Sequence, residues 1–222
     1  MSKILILIPT EVERRWASSL VEKLSEELSE TVTVELCGFG PVIAGIRATQ
    51  LIAQHRPQRV LLVGIAGAIA SGLKIGEAYE FEQVACYGIG IGCGPNFQTV
   101  SEMGWSHWAS DNLGVEIKSI NDTIQLLPAD NSSSRESARL LLTVCAASTN
   151  AADVSRHQEK FPQAMAEDME GFSVAAACKL SRVPLRIVRG ISNMAGDREH
   201  QNWQSAAAMH SALQLAMAIL VE

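Results

Sequence analysis

Positive charge is scarce in this sequence. Lysine and arginine number 18 against 24 aspartates and glutamates, a formal net charge of −6 at pH 7. Nucleic acids and anionic membrane surfaces are held largely through basic patches, so neither is expected as the main partner. Long apolar runs are missing too. The run after Lys3 spans only Ile4–Ile8 before Pro9-Thr10-Glu11, short of the roughly 7–15 residues of a signal-peptide core. Val60–Ala70, the longest other candidate, is interrupted by two glycines and falls well below the ~20 residues of a spanning helix. The five cysteines are odd in number and scattered, with no C-x-x-C pair, which fits reduced thiols in the cytoplasm better than a disulfide frame or zinc site. The five histidines show no i, i+4 pairing, so no metal is assigned. Gly88–Gly94 is not a G-x-G-x-x-G run opening a helix, so no nicotinamide cofactor is expected. No internal repeat and no dividing linker is present.

What remains is a chain of 222 residues, 47% hydrophobic, long enough to bury a core without covalent staples. Short β-branched runs alternate with longer helical stretches. Ile4–Ile8, Thr31–Leu36, Arg59–Val63, Leu140–Ala146, Ala164–Glu167 and Leu185–Ile191 read as strands, with weaker ones at Glu77–Gln83 and Val84–Tyr87. Glu11–Glu30, Ile43–His55, Gly171–Leu180 and Asn202–Val221 read as helices, and Asn131–Ser134 as a polar loop. This alternation predicts a single three-layer α/β domain over residues 1–222, its mixed, mostly parallel central sheet covered by helices on both faces.

In such a sheet ligands bind beyond the carboxyl ends of the strands, so the residues following each strand are the informative ones. Thr10, Glu11 and Glu13 follow the first, and Gly64-Ile65-Ala66-Gly67-Ala68 follows Arg59–Val63 as a small-residue turn. Glu167, Asp168, Met169 and Glu170 follow Ala164–Ala166; Ser192 and Asn193 follow Leu185–Ile191. Together they describe one polar pocket of carboxylates, an amide and exposed backbone. No Ser-His-Asp set or nucleophilic Cys–His pair accompanies them.

These segments, in this order, resemble the nucleoside phosphorylase/hydrolase superfamily over nearly the whole chain. The likeness is carried by Pro9-Thr10-Glu11-Val12-Glu13, Gly38-Phe39-Gly40-Pro41, Gly64-Ile65-Ala66-Gly67, Phe161-Pro162-Gln163-Ala164, Glu167-Asp168-Met169-Glu170-Gly171 and Val188-Arg189-Gly190-Ile191-Ser192-Asn193. Within it the chain looks most like the futalosine hydrolases. Ser192-Asn193 stands where the methylthioadenosine/S-adenosylhomocysteine nucleosidases carry Ser-Asp, and Arg198 and Trp203 follow the futalosine hydrolase pattern. Gly88-Ile89-Gly90 departs from it, since an Asp-Leu-Gly motif is expected there.

The resemblance implies hydrolysis of the bond between ribose C1′ and purine N9 without a cofactor, and a small purine nucleoside as partner. Glu13 would activate the water, with Glu11 as fallback; the alternative is a helix cap, because Thr10-x-x-Glu13 has capping-box spacing. Glu170 would accept from the ribose 2′- and 3′-hydroxyls, with Met169 against the sugar; the alternatives are an acid favoured by the helix dipole and a core methionine. Ile65, Ala66 and Gly67 would present backbone to sugar and water. Ser192 and Asn193 would meet the base, where an amide, which donates without giving up a proton, suits a 6-oxo purine. Thr149 and Asn150 are further candidates for the base pocket, and Trp105, Trp108 and Trp203 for covering a 5′ substituent. Arg14, Arg47 and Arg189 are the cations a phosphorylase would need, and nothing in the sequence singles one out. The resemblance also implies a homo-oligomer. The competing functions are methylthioadenosine/S-adenosylhomocysteine nucleosidase, purine nucleoside phosphorylase, and a non-catalytic nucleoside-binding protein on the same scaffold.

Overall fold

Ile4–Ile8 is buried along its whole length because its side chains alternate between two hydrophobic layers. Leu5 and Leu7 face one layer, while Ile4, Ile6 and Ile8 face the other. A strand covered on both sides must be apolar at every position. The computed structural model describes residues 3–28, 32–112, 116–126 and 139–220, so the Asn131–Ser134 loop and the last two residues of Glu11–Glu30 lie outside the described residues.

Thirteen strands and six α-helices are described. In chain order they are β1 (Ile4–Ile8), α1 (Glu11–Trp16), α2 (Ser18–Leu28), β2 (Val32–Leu36), α3 (Gly40–His55), β3 (Arg59–Ala68), β4 (Ala78–Phe81) and β5 (Gln83–Tyr87). Two small ribbons follow, β6 (Gly90–Ile91) with β7 (Gln98–Thr99), and β8 (Trp108–Ala109) with β9 (Ser119–Ile120). Then come β10 (Thr123–Gln125), β11 (Leu140–Val144), α4 (Ala151–Lys160), β12 (Ala164–Asp168), α5 (Gly171–Ser181), β13 (Leu185–Met194) and α6 (Ser205–Leu220).

Nine strands form the central sheet in the order β10-β5-β11-β12-β3-β1-β2, with β13 pairing both β3 and β4. Five pairings are parallel and three antiparallel. Helices α3 and α5 supply Ala44, Leu51, Phe172 and Val174 to the layer containing Leu5 and Leu7. Helix α6 supplies Met209, Leu213 and Ala216 to the layer containing Ile6 and Ile8. This is the expected α/β architecture with helices on both faces. Among the described residues, no helix is long and apolar enough to cross a membrane.

Three sequence expectations need correction. The proposed turn at Gly64–Ala68 is strand: β3 runs straight through it to Ala68. Its glycines make room for side chains, since a Cβ on Gly64 would lie 2.1 Å from Arg189 Nη1 and 2.9 Å from Glu13 Oε1. The helix expected over Glu11–Glu30 is broken at Ala17, which caps α1 instead of continuing it. Helix α4 was not anticipated. It starts where Asn150 accepts from the backbone N–H groups of Ala152 and Asp153, an N-cap in a polar segment without a strong apolar stripe.

The long β3 organises the site. On one edge it pairs with β1 through Arg59–Leu62, then with antiparallel β12 at Gly67 and Ala68. The carboxyl ends of β1 and β12 therefore converge on the stretch of β3 between those ladders. The backbone N–H of Ile65 is left there for a side chain to use.

Candidate active site

Thr10, just beyond β1, caps α1 by accepting from the backbone N–H of Glu13 at 3.2 Å. The cap turns the Glu13 side chain inward. Its carboxylate accepts from Thr10 Oγ1 at 2.6 Å and from the Ile65 backbone N–H at 3.1 Å. Capping and presentation of a buried carboxylate thus coexist at Glu13. Burial pushes its carboxyl above the ordinary value, against the pull of Thr10, Arg189 and the Ile65 N–H. Glu11 instead points to solvent, paired with Arg14 at 2.8 Å.

The second carboxylate comes from the turn between β12 and α5. Glu170 accepts from the Gly40 backbone N–H at 3.0 Å and lies 3.4 Å from Arg189 Nη2. Burial outweighs the attraction of Arg189 and pushes its carboxyl up to about 7. Arg189, on β13, is wholly buried. Its Nη2 and Nε both donate to Asp168 Oδ2, at 2.5 and 3.1 Å. Nη1 has no hydrogen-bond partner among the described residues. Burial works against the Arg189 charge, but Asp168, Glu170 and Glu13 together hold its pKa above the ordinary value. One guanidinium therefore stands behind three carboxylates. Asp168, which also lines the cavity shared by Glu13 and Glu170, is part of this support: Thr143 Oγ1 and the Gly171 N–H donate to it at 2.7 and 2.9 Å.

At the end of β13, Ser192 Oγ donates to Asn193 Oδ1 at 2.7 Å. Asn193 Nδ2 donates to Met194 O at 2.7 Å and makes only a long contact, 3.4 Å, with Asp197 O. One amide hydrogen is thereby left weakly engaged. Glu13, Ile65, Ala66, Gly67, Met169, Glu170, Ser192 and Asn193 all line a single cavity of about 320 Å³. Trp16, Phe39, Arg198, His200 and Trp203 form an aromatic, partly cationic part of its wall. Arg198 stacks over the Trp203 ring at 5.1 Å.

No protein-family model matches the chain. It is 25% identical over 189 residues to the 5′-methylthioadenosine/S-adenosylhomocysteine nucleosidase of Chromohalobacter salexigens, spanning 83% of this chain and 77% of that one. It is 26% identical over 182 residues to the corresponding nucleosidase of a Marinomonas species, spanning 80% and 76%. Among solved structures, futalosine hydrolase of Helicobacter pylori superposes with a TM-score of 0.74 at 16% identity, over 99% of this chain and 97% of that one. The Neisseria meningitidis nucleosidase in complex with methylthio-immucillin-A does so with a TM-score of 0.73 at 17% identity, over the full length of both. The relatives and the fold are those of the nucleoside phosphorylase/hydrolase superfamily.

Within this nucleosidase fold, some residues singled out from the sequence sit elsewhere. Asn150 caps α4 and Thr149 donates to Asp153 at 2.6 Å; the neighbouring Ala147 and Ser148 line the cavity in their place. Of the tryptophans, Trp203 reaches the cavity, while Trp105 is exposed and Trp108 packs against the core. Trp16, read only as part of an apolar helix face, joins Trp203 on the wall. Gly88-Ile89-Gly90 is not among the lining residues. Gly88 has a φ of +101°, a conformation that favours glycine, and a Cβ on Gly90 would meet Gln98 O at 2.0 Å. Gly90 matches the expected motif, and at Gly88 the departure from it suits the backbone conformation. Sequence reasoning did not reach Ser148, named Glu167 only as a polar residue after its strand, and did not single out Arg189. For Arg189 the available signal was a cation in the middle of a mostly apolar strand, beyond Arg186, which demands a buried acid.

Proposed function

We propose that the protein is a cytoplasmic, cofactor-free purine nucleosidase that hydrolyses futalosine to hypoxanthine and dehypoxanthine futalosine. The observation that carries this reading is the pairing of Glu13 and Glu170 in one cavity, both buried and both beside Arg189. Relatives named as nucleosidases, and a structural neighbour named futalosine hydrolase, support the common part, cleavage of an N-ribosidic bond by water.

In the proposed reaction a water oxygen attacks ribose C1′ and passes its proton to Glu13. The C1′–N9 bond breaks through an oxocarbenium-like sugar, and its electron pair leaves with the purine, which takes up a proton from solvent while Glu13 releases the proton it took from water. A carboxyl raised by burial is better matched to a base working near neutral pH than an ordinary glutamate. Glu170 grips the two ribose hydroxyls, and Met169 packs against the sugar. The backbone of Ile65, Ala66 and Gly67 forms the floor, with Ser192 holding the Asn193 amide. Asn193 donates its weakly engaged N–H to N7 of the departing base. Phosphate is a poor competitor for this water. Glu13, Asp168 and Glu170 surround a single buried guanidinium already committed to Asp168.

Purine release from futalosine and from methylthioadenosine, measured side by side in phosphate-free buffer, tests the reading. Hypoxanthine released from futalosine alone is the expected result. Adenine release instead assigns the methylthioadenosine/S-adenosylhomocysteine activity, the second reading favoured by the curated relatives' names. A strict need for phosphate assigns a phosphorylase, and binding without turnover a nucleoside-binding protein. Glu13→Gln is expected to lower kcat at least ~100-fold, the scale of a lost general base, while leaving the thermal transition within a few degrees.

We further propose a homo-oligomer. Phe39, Val42, Ile43 and Ile46 are between 50% and 70% exposed and lie along one face at the start of α3. Phe39 also lines the cavity, so a second copy seated on this face would sit at its mouth.

A further inference from the structure

Side chains alternate across a strand, so Glu167 and Asp168 at the end of β12 point to opposite faces of the sheet. Asp168 goes to Arg189. Glu167 goes to Ser148 and His157, and the proposed reaction gives it no task. All three residues are at least nine-tenths buried. The Ser148 backbone N–H donates to Glu167 Oε1 at 2.8 Å, and Ser148 Oγ donates to Oε2 at 2.6 Å. His157 Nδ1 lies 3.1 Å from the same Oε2. The same nitrogen lies 3.2 Å from Ser148 Oγ, and with Ser148 donating to Oε2 both contacts are met by Nδ1 as the donor. The imidazole is itself held against the Tyr87 ring, centroids 4.3 Å apart.

Glu167 and Ser148 both line the cavity that holds Glu13 and Glu170. The place of Glu167 in it is fixed by the ladder. Glu167 of β12 and Asn193 of β13 are the two cross-strand neighbours of the same residue, Gly67 of β3. They flank it at a separation of two strand spacings, roughly 10 Å, the scale of one planar bicyclic base held at both ends. The Asn193 end offers a donor. The Glu167 end offers an acceptor only: about four acceptor positions exist on a carboxylate, and Ser148 and His157 use three.

From this arrangement we propose that Glu167 is a specificity residue that accepts a hydrogen bond from N1–H of a 6-oxopurine, with Ser148 and His157 as its positioning residues. The proposal rests on the nucleosidase reading for which part of the cavity takes the base. A 6-aminopurine presents a lone pair at N1, so the carboxylate repels it, and discrimination comes from that repulsion as much as from the bond to the correct base.

The test uses nucleosides sharing one 5′ group: 5′-methylthioinosine, its N1-methyl derivative, and 5′-methylthioadenosine. Wild type is expected to lose roughly 10–100-fold in kcat/KM when N1 is methylated, the range for losing a hydrogen bond to a charged group. Glu167→Gln, whose amide can donate to the adenine N1, is expected to lower the 6-oxo to 6-amino ratio by a similar factor. A purely structural Glu167 would depress all three substrates alike and leave the ratio unchanged, which overturns the proposal. Equilibrium binding of hypoxanthine, 1-methylhypoxanthine and adenine to the wild-type protein reads the same preference without turnover and without relying on a variant that folds. Equal affinity for hypoxanthine and its N1-methyl form also overturns it. Cleavage of none of these nucleosides nor of futalosine, with hypoxanthine still preferred over both other bases, would leave the base-edge assignment standing and remove the nucleosidase reading.

Discussion

Glu170 shows how much chemistry burial alone can add to an ordinary residue. In an unfolded chain its carboxyl titrates near 4.5, and here it is pushed up to about 7. Only the ionised form accepts from two ribose hydroxyls without also donating. The acid limb of kcat/KM, which reports groups of the free enzyme, is therefore expected near pH 7 and displaced in Glu170→Gln. A pH profile unchanged by the substitution would remove Glu170 from ribose binding. Stability carries the same signature with a definite sign. Between about pH 4.5 and 7 the folded state holds a proton that the unfolded state has lost, so this group's contribution to stability falls as pH rises through that window. Glu170→Gln removes that penalty, so its thermal midpoint relative to wild type should be higher at pH 8 than at pH 5. Calorimetry at the two pH values measures the difference directly. The role of Glu170 was suggested by a motif; the value at which it titrates depends on Arg189, Asp168 and Gly40, none of which its local sequence identifies.

At the scale of elements, contacts too close for a side chain set how helix and sheet meet. A Cβ on Gly190 would lie 1.9 Å from Ala208 O, where α6 crosses β13. Gly190→Ala must push α6 off the sheet and disturb the apolar layer beneath it. Overpacking of this kind costs about 1–3 kcal/mol, and at roughly 2–4 °C per kcal/mol for a chain of this size the melting temperature should drop by about 2–12 °C. An unchanged melting temperature would mean that the helix–sheet contact yields freely. Asn150→Ala is expected to cost about 1 kcal/mol through loss of the α4 cap, again visible as a lower melting temperature. Strand positions were legible because buried runs such as Ile4–Ile8 and Leu185–Ile191 have little alternative use. Their carboxyl ends were less so. β3 continues to Ala68 and β13 to Met194, because pairing between distant strands carries both past the glycines and polar residues that look like stops.

At the scale of the whole molecule, the apolar face at the start of α3 is the largest departure from a water-facing surface. Exposed apolar patches of this kind mark interaction sites. Size-exclusion chromatography with light scattering should give a multiple of 23.9 kDa, and Val42→Asp combined with Ile46→Asp should shift it towards the monomer. A wild-type monomer would leave this face for another partner. The net charge of −6 disfavours close association of copies by general electrostatics, so the apolar contact must supply the association.

Taken by itself, the sequence determined the alternation of the main buried strands with α3, α5 and α6, the two-sided burial of the sheet, and the segments that carry Glu13, Glu170 and Asn193. Local periodicity and motif spacing encode all of these. Only the tertiary structure decided that Arg189 stands behind three carboxylates, that Gly64 is space for Arg189 and Glu13, and that Asp168 is tied to Arg189 while Glu167 is tied to Ser148 and His157. Those facts arise where β1, β12 and β13 meet on β3. Partners there stand 21, 52 and 130 residues apart in the chain, and no local pattern fixes which side chains will share the same buried volume.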